Sequence, residues 1–270
     1  MDTGSIQALR DRVVAPFNRV ATVPVVVAAG LLFAACGADL TAATAPSQVS
    51  QSQDLRTTTE VSEPVDRPDV EVVDESIVRI IGFGCGAPAL GSGFAIGPNL
   101  LVTSGHVVTG RDPESLAVLR SGGDEYRATL VGFDLDLDLA VLRVDDVEFT
   151  PVNLVTEVPV VDGVAIGIRS EDGEPFINEV EFAVDAPVNV NWDGVFRDTE
   201  SRFRGVRIEA EVRPGDSGSG LFVNSSDVIG LIHSRNRNGI PRAYAVGSIE
   251  IADFVDTIDP NVEVVADRCA

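Results

Sequence analysis

The sequence predicts an all-β fold, two six-stranded antiparallel β-barrels followed by a short C-terminal helix, and three observations carry that expectation. From Ser76 onward, short Val/Ile/Leu/Phe runs are separated by Gly, Pro, Asn and Asp turns, which is the rhythm of strands. The runs fall into six before a less regular stretch and six after it. Closing each set on itself removes exposed sheet edges, so two small barrels packed together satisfy the pattern.

The first six candidates are Ile77 to Phe83, Gly91 to Ile96, Leu100 to Thr103, Ser115 to Leu119, Tyr126 to Phe133 and Leu139 to Val144. The second six are Gly163 to Ile168, Ile177 to Val184, Phe203 to Ala210, Gly220 to Val223, Val228 to His233 and Arg242 to Val246. These place barrel one at about 76–150 and barrel two at about 151–247. The period then changes. Ile249, Ile251, Phe254, Val255 and Ile258 take roughly helical spacing after Ser248, so a terminal helix is expected over about 248–258.

Composition restricts the function. The 270 residues carry 42 acidic against 20 basic side chains, every one of the latter Arg, for a formal charge of −22. Such a chain lacks the cation excess that displaces phosphate counterions, so nucleic acid is excluded as a general partner. With only three Cys (Cys36, Cys85, Cys269) and two His (His106, His233), a Cys/His metal cage is not expected, and neither a metal nor a cofactor is called for. Any histidine chemistry must use His106 or His233.

The front of the chain reads as an address. Arg10, Arg12 and Arg19 precede an uncharged run from Val20 to Ala35 that stops at Cys36, the architecture of an export signal. Its 16 residues would span roughly 24 Å as a helix, short of the roughly 30 Å hydrocarbon core. Phe33-Ala34-Ala35-Cys36 resembles the lipobox of bacterial lipoproteins, with Phe33 where Leu is usual. Residues 1–36 are therefore expected to be a signal ending at a lipidated Cys36, which anchors the chain to the outer face of the bacterial cell membrane. An uncleaved anchor and ordinary secretion are the alternatives. Residues 37–75, rich in Thr, Ser, Gln, Pro, Asp and Glu, read as a disordered tether, and 76–270 as the folded domain. With Cys36 lipidated, Cys85 and Cys269 are the remaining thiols in an oxidising compartment and are expected to pair, two buried thiols being the alternative.

The sharpest local feature is Arg213-Pro214-Gly215-Asp216-Ser217-Gly218-Ser219-Gly220, a serine in a glycine-flanked turn between two strands. A hydroxyl is a poor nucleophile without a base in reach, and its attack on a carbonyl needs donors at the developing oxyanion. The N–H groups of Gly215 and Ser217 are the candidates here. Read alone, the segment could equally be a flexible surface turn. Thr103-Ser104-Gly105-His106-Val107-Val108 supplies a histidine directly after an apolar strand and before a short helical turn. Asp134-Leu135-Asp136-Leu137-Asp138-Leu139 supplies three carboxylates, which period-two alternation would put on one strand face without choosing among them.

Together these segments resemble the trypsin-like serine proteases, particularly the bacterial HtrA/Deg branch. GSGFAIGPNLLVTSGHVV, DLAVLRV and RPGDSGSGLF followed by VIGLI match its histidine, aspartate and nucleophile segments in the right chain order. The resemblance covers about 76–255 and implies the chymotrypsin-like double barrel with its site between the halves. It implies His106 as general base, Asp138 (the aspartate before Leu-Ala) as its orienting partner, Ser217 as nucleophile, and the Gly215 and Ser217 amides as oxyanion hole. Protein or peptide substrates follow. No PDZ domain follows the catalytic segment before Ala270, a departure from the branch. Glu211 falls where this fold floors its primary specificity pocket, where it would favour a basic P1 residue, although a solvent-facing glutamate is equally consistent. Glutamyl endopeptidases carry a pocket histidine in VIGIH; here VIGLIH sets His233 one residue later, turned to the other side of the strand. Ile232, His233 and Ser234 are expected to border substrate as an edge strand. The expected function is an exported serine endopeptidase, with a catalytically inactive protease-fold binding or scaffold lipoprotein as the alternative. An esterase is disfavoured because Ser217 lacks the GxSxG elbow.

Overall fold

The structure, a computed structural model, describes residues 67–156, 161–193, 200–236 and 239–266. All of them lie in the unit spanning residues 59–270. The leader, Cys36 and Cys269 fall outside the described residues.

Barrel one contains β1 (Ile77–Gly84), β2 (Ala87–Gly97), β3 (Leu100–Ser104), β4 (Ala117–Leu119), β5 (Glu125–Arg127), β6 (Thr129–Asp134) and β7 (Leu139–Arg143), in the sheet order β5-β4-β1-β2-β3-β7-β6. Seven strands replace the expected six because the run from Tyr126 to Phe133 bends at Ala128. Its first part pairs with β4 and its second with β7, while Ala128 N–H donates to Leu116 O at 3.0 Å. One bent strand thus links the two ends of the sheet.

Barrel two contains β8 (Asn153–Leu154), β9 (Asp162–Glu171), β10 (Glu174–Asp193), β11 (Glu200–Glu209), β12 (Gly220–Phe222), β13 (Asp227–Arg235) and β14 (Arg242–Gly247), in the order β12-β9-β10-β11-β14-β13-β8. A further pairing of β12 with β13 closes six of these into a ring, and the short β8 adds to β13 in parallel. The architecture is all-β, as the sequence predicts.

Residues 67–75, expected as the end of the tether, are instead folded. The short helix α1 (Val70–Asp74) is capped by Asp69, whose side chain accepts from Glu71 N–H, and buries Val73 completely. Arg67 reaches Glu179 and Glu181 at 3.2 Å. The buried apolar residues that fix this segment are only Pro68 and Val73, too weak a signal to see in sequence. The terminal helix α3 (Ser248–Val255) forms as expected but ends three residues short of Ile258, and a further short helix, α2 (Gly105–Val108), carries the histidine.

Three apolar clusters explain the uninterrupted hydrophobic runs. Val78, Ile80, Ala95, Leu101 and Leu142 fill barrel one, and Ala165, Val206, Ile208, Leu221 and Ile229 fill barrel two. The residues between them along each strand, such as Val102 and Val141 from barrel one and Val164, Ile166 and Phe222 from barrel two, join a shared cluster between the halves. Strands at this seam are buried on both faces, so their polar alternation disappears. Phe94 and Phe222, both fully buried, each contribute roughly 1.5–3 kcal/mol of apolar burial.

Candidate active site

His106 and Asp138 come from barrel one. The β6–β7 connection is a turn rather than the strand its Asp-Leu alternation suggests. Asp134 closes that turn by accepting Leu137 N–H at Oδ1 (2.8 Å), Asp136 is exposed, and Asp138 is buried. Its φ of 54° puts Asp138 in the left-handed region, which aspartate tolerates better than bulkier residues do. From there it grips the first turn of α2 three times. Its backbone oxygen accepts Gly105 N–H (2.7 Å), Oδ1 accepts His106 N–H (2.7 Å), and Oδ2 lies 2.6 Å from His106 Nδ1. Such a fixed carboxylate holds the imidazole with Nδ1 protonated and leaves Nε2 as the basic nitrogen.

Ser217 comes from barrel two, in the loop from Ala210 to Ser219. This loop is clamped against barrel one: Ser92 N–H donates to Ser217 O (2.8 Å), and Ser92 Oγ donates to Gly215 O (3.2 Å). Thr103 Oγ1 in turn donates to Ser92 O at 2.6 Å. Two glycines permit the close approach. A Cβ on Gly218, whose φ is 88°, would lie 1.9 Å from Ser92 O; one on Gly91 would meet Val107 at 2.5 Å and Ser217 O at 3.1 Å. Gly91 therefore sits between the backbone of Ser217 and the neighbour of His106. Neither Gly215 N–H nor Ser217 N–H donates to a described residue, so both are available to an incoming oxygen. Ser217 Oγ makes no hydrogen bond to His106, whose ring is bonded to Asp138.

Asp216, which sequence reading passed over, anchors the loop from inside. Its side chain is 2% exposed; Oδ2 accepts Arg213 N–H (2.7 Å), Oδ1 accepts Asn178 Nδ2 (3.0 Å), and Arg169 Nε stands at 3.8 Å. Burial raises its pKa, against the opposing pull of the Arg213 amide and of Arg169 and Arg213. Nothing in the sequence marked Asn178 or Arg169, which arrive from β10 and β9 respectively.

Three of the four residues assigned to substrate binding are placed differently from expectation. Ile232 is fully buried, its carbonyl accepting Gly218 N–H (2.9 Å) and Ser104 Oγ (3.1 Å) and its N–H donating to Ser219 O (2.9 Å). It ties the histidine segment to the nucleophile loop rather than bordering substrate. The β13–β14 register slips between Ile232 and Ser234, a bulge that makes His233 the extra residue and re-aims its side chain inward. His233 packs against Asp138, with Nε2 at 3.2 Å from Oδ2, and against the Phe203 ring at 4.9 Å. Glu211 projects into solvent, 77% exposed and paired with Arg213 at 3.1 Å, and so does not floor a pocket. Ser234 remains half-buried on the outer part of β13.

The two imidazoles titrate in opposite directions. Burial acts to lower the His106 pKa, but the charge and hydrogen bond of Asp138 together outweigh it, against slight opposition from Arg111, so His106 titrates above its ordinary range. Burial pushes His233 down to about 4; Asp138 opposes this and His106 adds to it. His233 is therefore held neutral around neutral pH, while His106 keeps its proton to higher pH than a free imidazole.

This double barrel with a buried Asp-His pair beside a glycine-flanked serine belongs to a known class. The chain belongs to the trypsin-like peptidase domain family, whose model matches residues 91–231. Its relatives are serine proteases of the HtrA/Deg type. Serine protease Rv3671c of Mycobacterium tuberculosis is 24% identical over 208 residues, covering 76% of this chain and 51% of that protein. The chain thus spans about half the length of that relative. A probable periplasmic DegP-like serine endoprotease of Rhizobium meliloti is 32% identical over 184 residues, covering 63% of this chain and 33% of its own. The crystal structure of the Rv3671c protease in its active form shares the fold with a TM-score of 0.67 at 21% identity, over 77% of this chain and 96% of that one.

Proposed function

We propose that this chain is an exported serine endopeptidase that hydrolyses peptide bonds through an acyl-enzyme. The observation that carries this is the 2.6 Å contact of His106 Nδ1 with a buried Asp138 carboxylate, on a wall to which the Ser217 loop is clamped. His106 Nε2 takes the Ser217 proton as Oγ attacks the substrate carbonyl, and the Gly215 and Ser217 amides receive the oxyanion. His106 then returns the proton to the leaving amine, and water, activated by the same nitrogen, releases the acyl group. The outward part of β13 at Ser234 is the candidate edge for the substrate backbone.

A fluorophosphonate probe tests this. Adduct on Ser217, lost in Ser217→Ala and strongly reduced in His106→Ala, is the expected result. Folded protein that takes no adduct would favour the alternative, a protease-fold binding or scaffold protein. The missing Ser217–His106 hydrogen bond is the observation on that side, although such bonds commonly tighten only with substrate.

The export signal, the lipid anchor at Cys36 and the Cys85–Cys269 bridge belong to the same proposal. Cys85 Sγ lies 3.2 Å from Gly110 O, and Gly110 N–H donates to Ala266 O. The chain three residues before Cys269 therefore passes beside Cys85, well within the roughly 10 Å that three extended residues reach. Mass analysis of mature, non-reduced protein checks both: a diacylglyceryl-modified N-terminal Cys36 and no alkylatable thiol are expected.

A further inference from the structure

His233 is a buried polar group that the mechanism above leaves unused. Its side chain is 1% exposed, and Nε2 lies 3.2 Å from Asp138 Oδ2, the oxygen that also meets His106 Nδ1. Among the described residues neither ring nitrogen of His233 has a hydrogen-bond partner, so the 3.2 Å approach runs oblique to the N–H direction. The ring is held beside the carboxylate by Phe203 at 4.9 Å on one side and the His106 ring at 6.2 Å and 81° on another.

Asp138 needs this neighbour. Its carboxylate is 4% exposed; Oδ1 accepts the His106 N–H, and Oδ2 meets His106 Nδ1. An ionised carboxylate has about four acceptor positions, and burial away from water makes each unfilled one costly. His233 Nε2 is the second polar atom against Oδ2, delivered there by the bulge in β13.

We propose that His233 is a positioning residue for peptide hydrolysis: a small turn of its ring from the present 3.2 Å approach makes Nε2–H the second donor to Asp138 Oδ2, fixing the carboxylate while His106 gains and loses the Ser217 proton. This rests on the reading of Ser217, His106 and Asp138 as the reacting groups. The titratable groups facing His233 are Asp138, from the turn before β7, and His106, from α2; Phe203 on β11 and the flanking Ile232 and Ser234 carry no charge. With the cation suppressed by burial, His233 remains a neutral donor throughout the range in which His106 titrates. The two histidines on one carboxylate thereby divide the work: one moves a proton and the other does not.

The test compares wild type, His233→Gln, which keeps an N–H near the Nε2 position, and His233→Phe, which keeps the ring and removes the donor. His233→Phe should lower kcat roughly ten- to a hundredfold with KM little changed. It should also shift the acid limb of the kcat/KM profile and the low-field resonance of the His106 Nδ1 proton. His233→Gln should restore most of each. A folded His233→Phe variant with wild-type kcat and pH profile, or a Gln variant as impaired as Phe, overturns the proposal. Nitrogen NMR of the wild type decides independently of any variant's folding: neutral His233 protonated at Nε2 supports the role, and protonation at Nδ1 overturns it. Wild type that takes no fluorophosphonate on Ser217 overturns the catalytic reading itself. A labelled wild type alongside an indifferent His233→Phe variant removes the His233 role alone.

Discussion

At the scale of single residues, pH separates the two imidazoles on Asp138. His106 must be neutral to accept the Ser217 proton, and its pKa is raised because Asp138 outweighs burial. The acid limb of kcat/KM should therefore lie above the ordinary histidine value of about 6.5. Asp138→Asn should lower kcat by roughly 10⁴-fold, because an amide facing Nδ1 no longer enforces the proton there; a loss of less than about tenfold would contradict the assigned role. His233 has the opposite linkage. Its folded pKa of about 4 lies below the unfolded value, so the unfolded chain binds more protons between the two. Stability from this group is fully present above about pH 6.5 and is lost as pH falls toward 4, a change on the order of 3 kcal/mol. Denaturant titrations across that window should show the rise in wild type and a flatter profile in His233→Phe. The raised His106 pKa works the other way, giving stability at low pH that fades as pH rises through it.

At the scale of elements, the loop from Ala210 to Ser219 is held by backbone fit and by one buried carboxylate. Gly218→Ala would force a Cβ onto Ser92 O at a φ of 88°, so it should cost more than about 2 kcal/mol and lower Tm measurably. Asp216→Ala would leave Arg213 N–H and Asn178 without their acceptor and loosen the segment that presents Ser217. We expect it to reduce kcat more than it raises KM, which steady-state kinetics on a peptide substrate would measure. These elements also show what the sequence could convey. Eleven of the twelve anticipated strands recur as single strands, and the twelfth as a bent pair, because short apolar runs between turn formers leave the chain few alternatives. Three features were hidden because they depend on partners distant in sequence. Asp134-Leu-Asp-Leu-Asp reads as a strand, yet Asp134 folds it into a turn that gives only Asp138 access to α2. Counting sides along β13 misplaced His233, since a bulge resets the alternation at that residue. Glu211 occupies an expected pocket position by spacing alone, while its side chain follows Arg213 into solvent.

At the scale of the whole molecule, the charge of −22 sets how the two halves respond to salt. The barrels meet through an apolar cluster whose members, including Phe94, Val102, Ile166 and Leu231, are insensitive to ionic strength. Many of the ion pairs lie at the surface, such as Arg67 with Glu181 and Arg127 with Glu114, and each contributes at most about 1 kcal/mol. Against these stands repulsion among the acidic excess, which is long-ranged when the Debye length is about 30 Å and mostly screened when it is about 8 Å. Screening therefore relieves more repulsion than it removes attraction, and the folded state should gain from added salt. Calorimetry of the mature chain should show Tm rising between about 0.01 M and about 0.15 M NaCl, with peptide hydrolysis retained over the same range. A Tm that falls across that interval would mean that the discrete pairs, rather than the net charge, govern the stability of this surface.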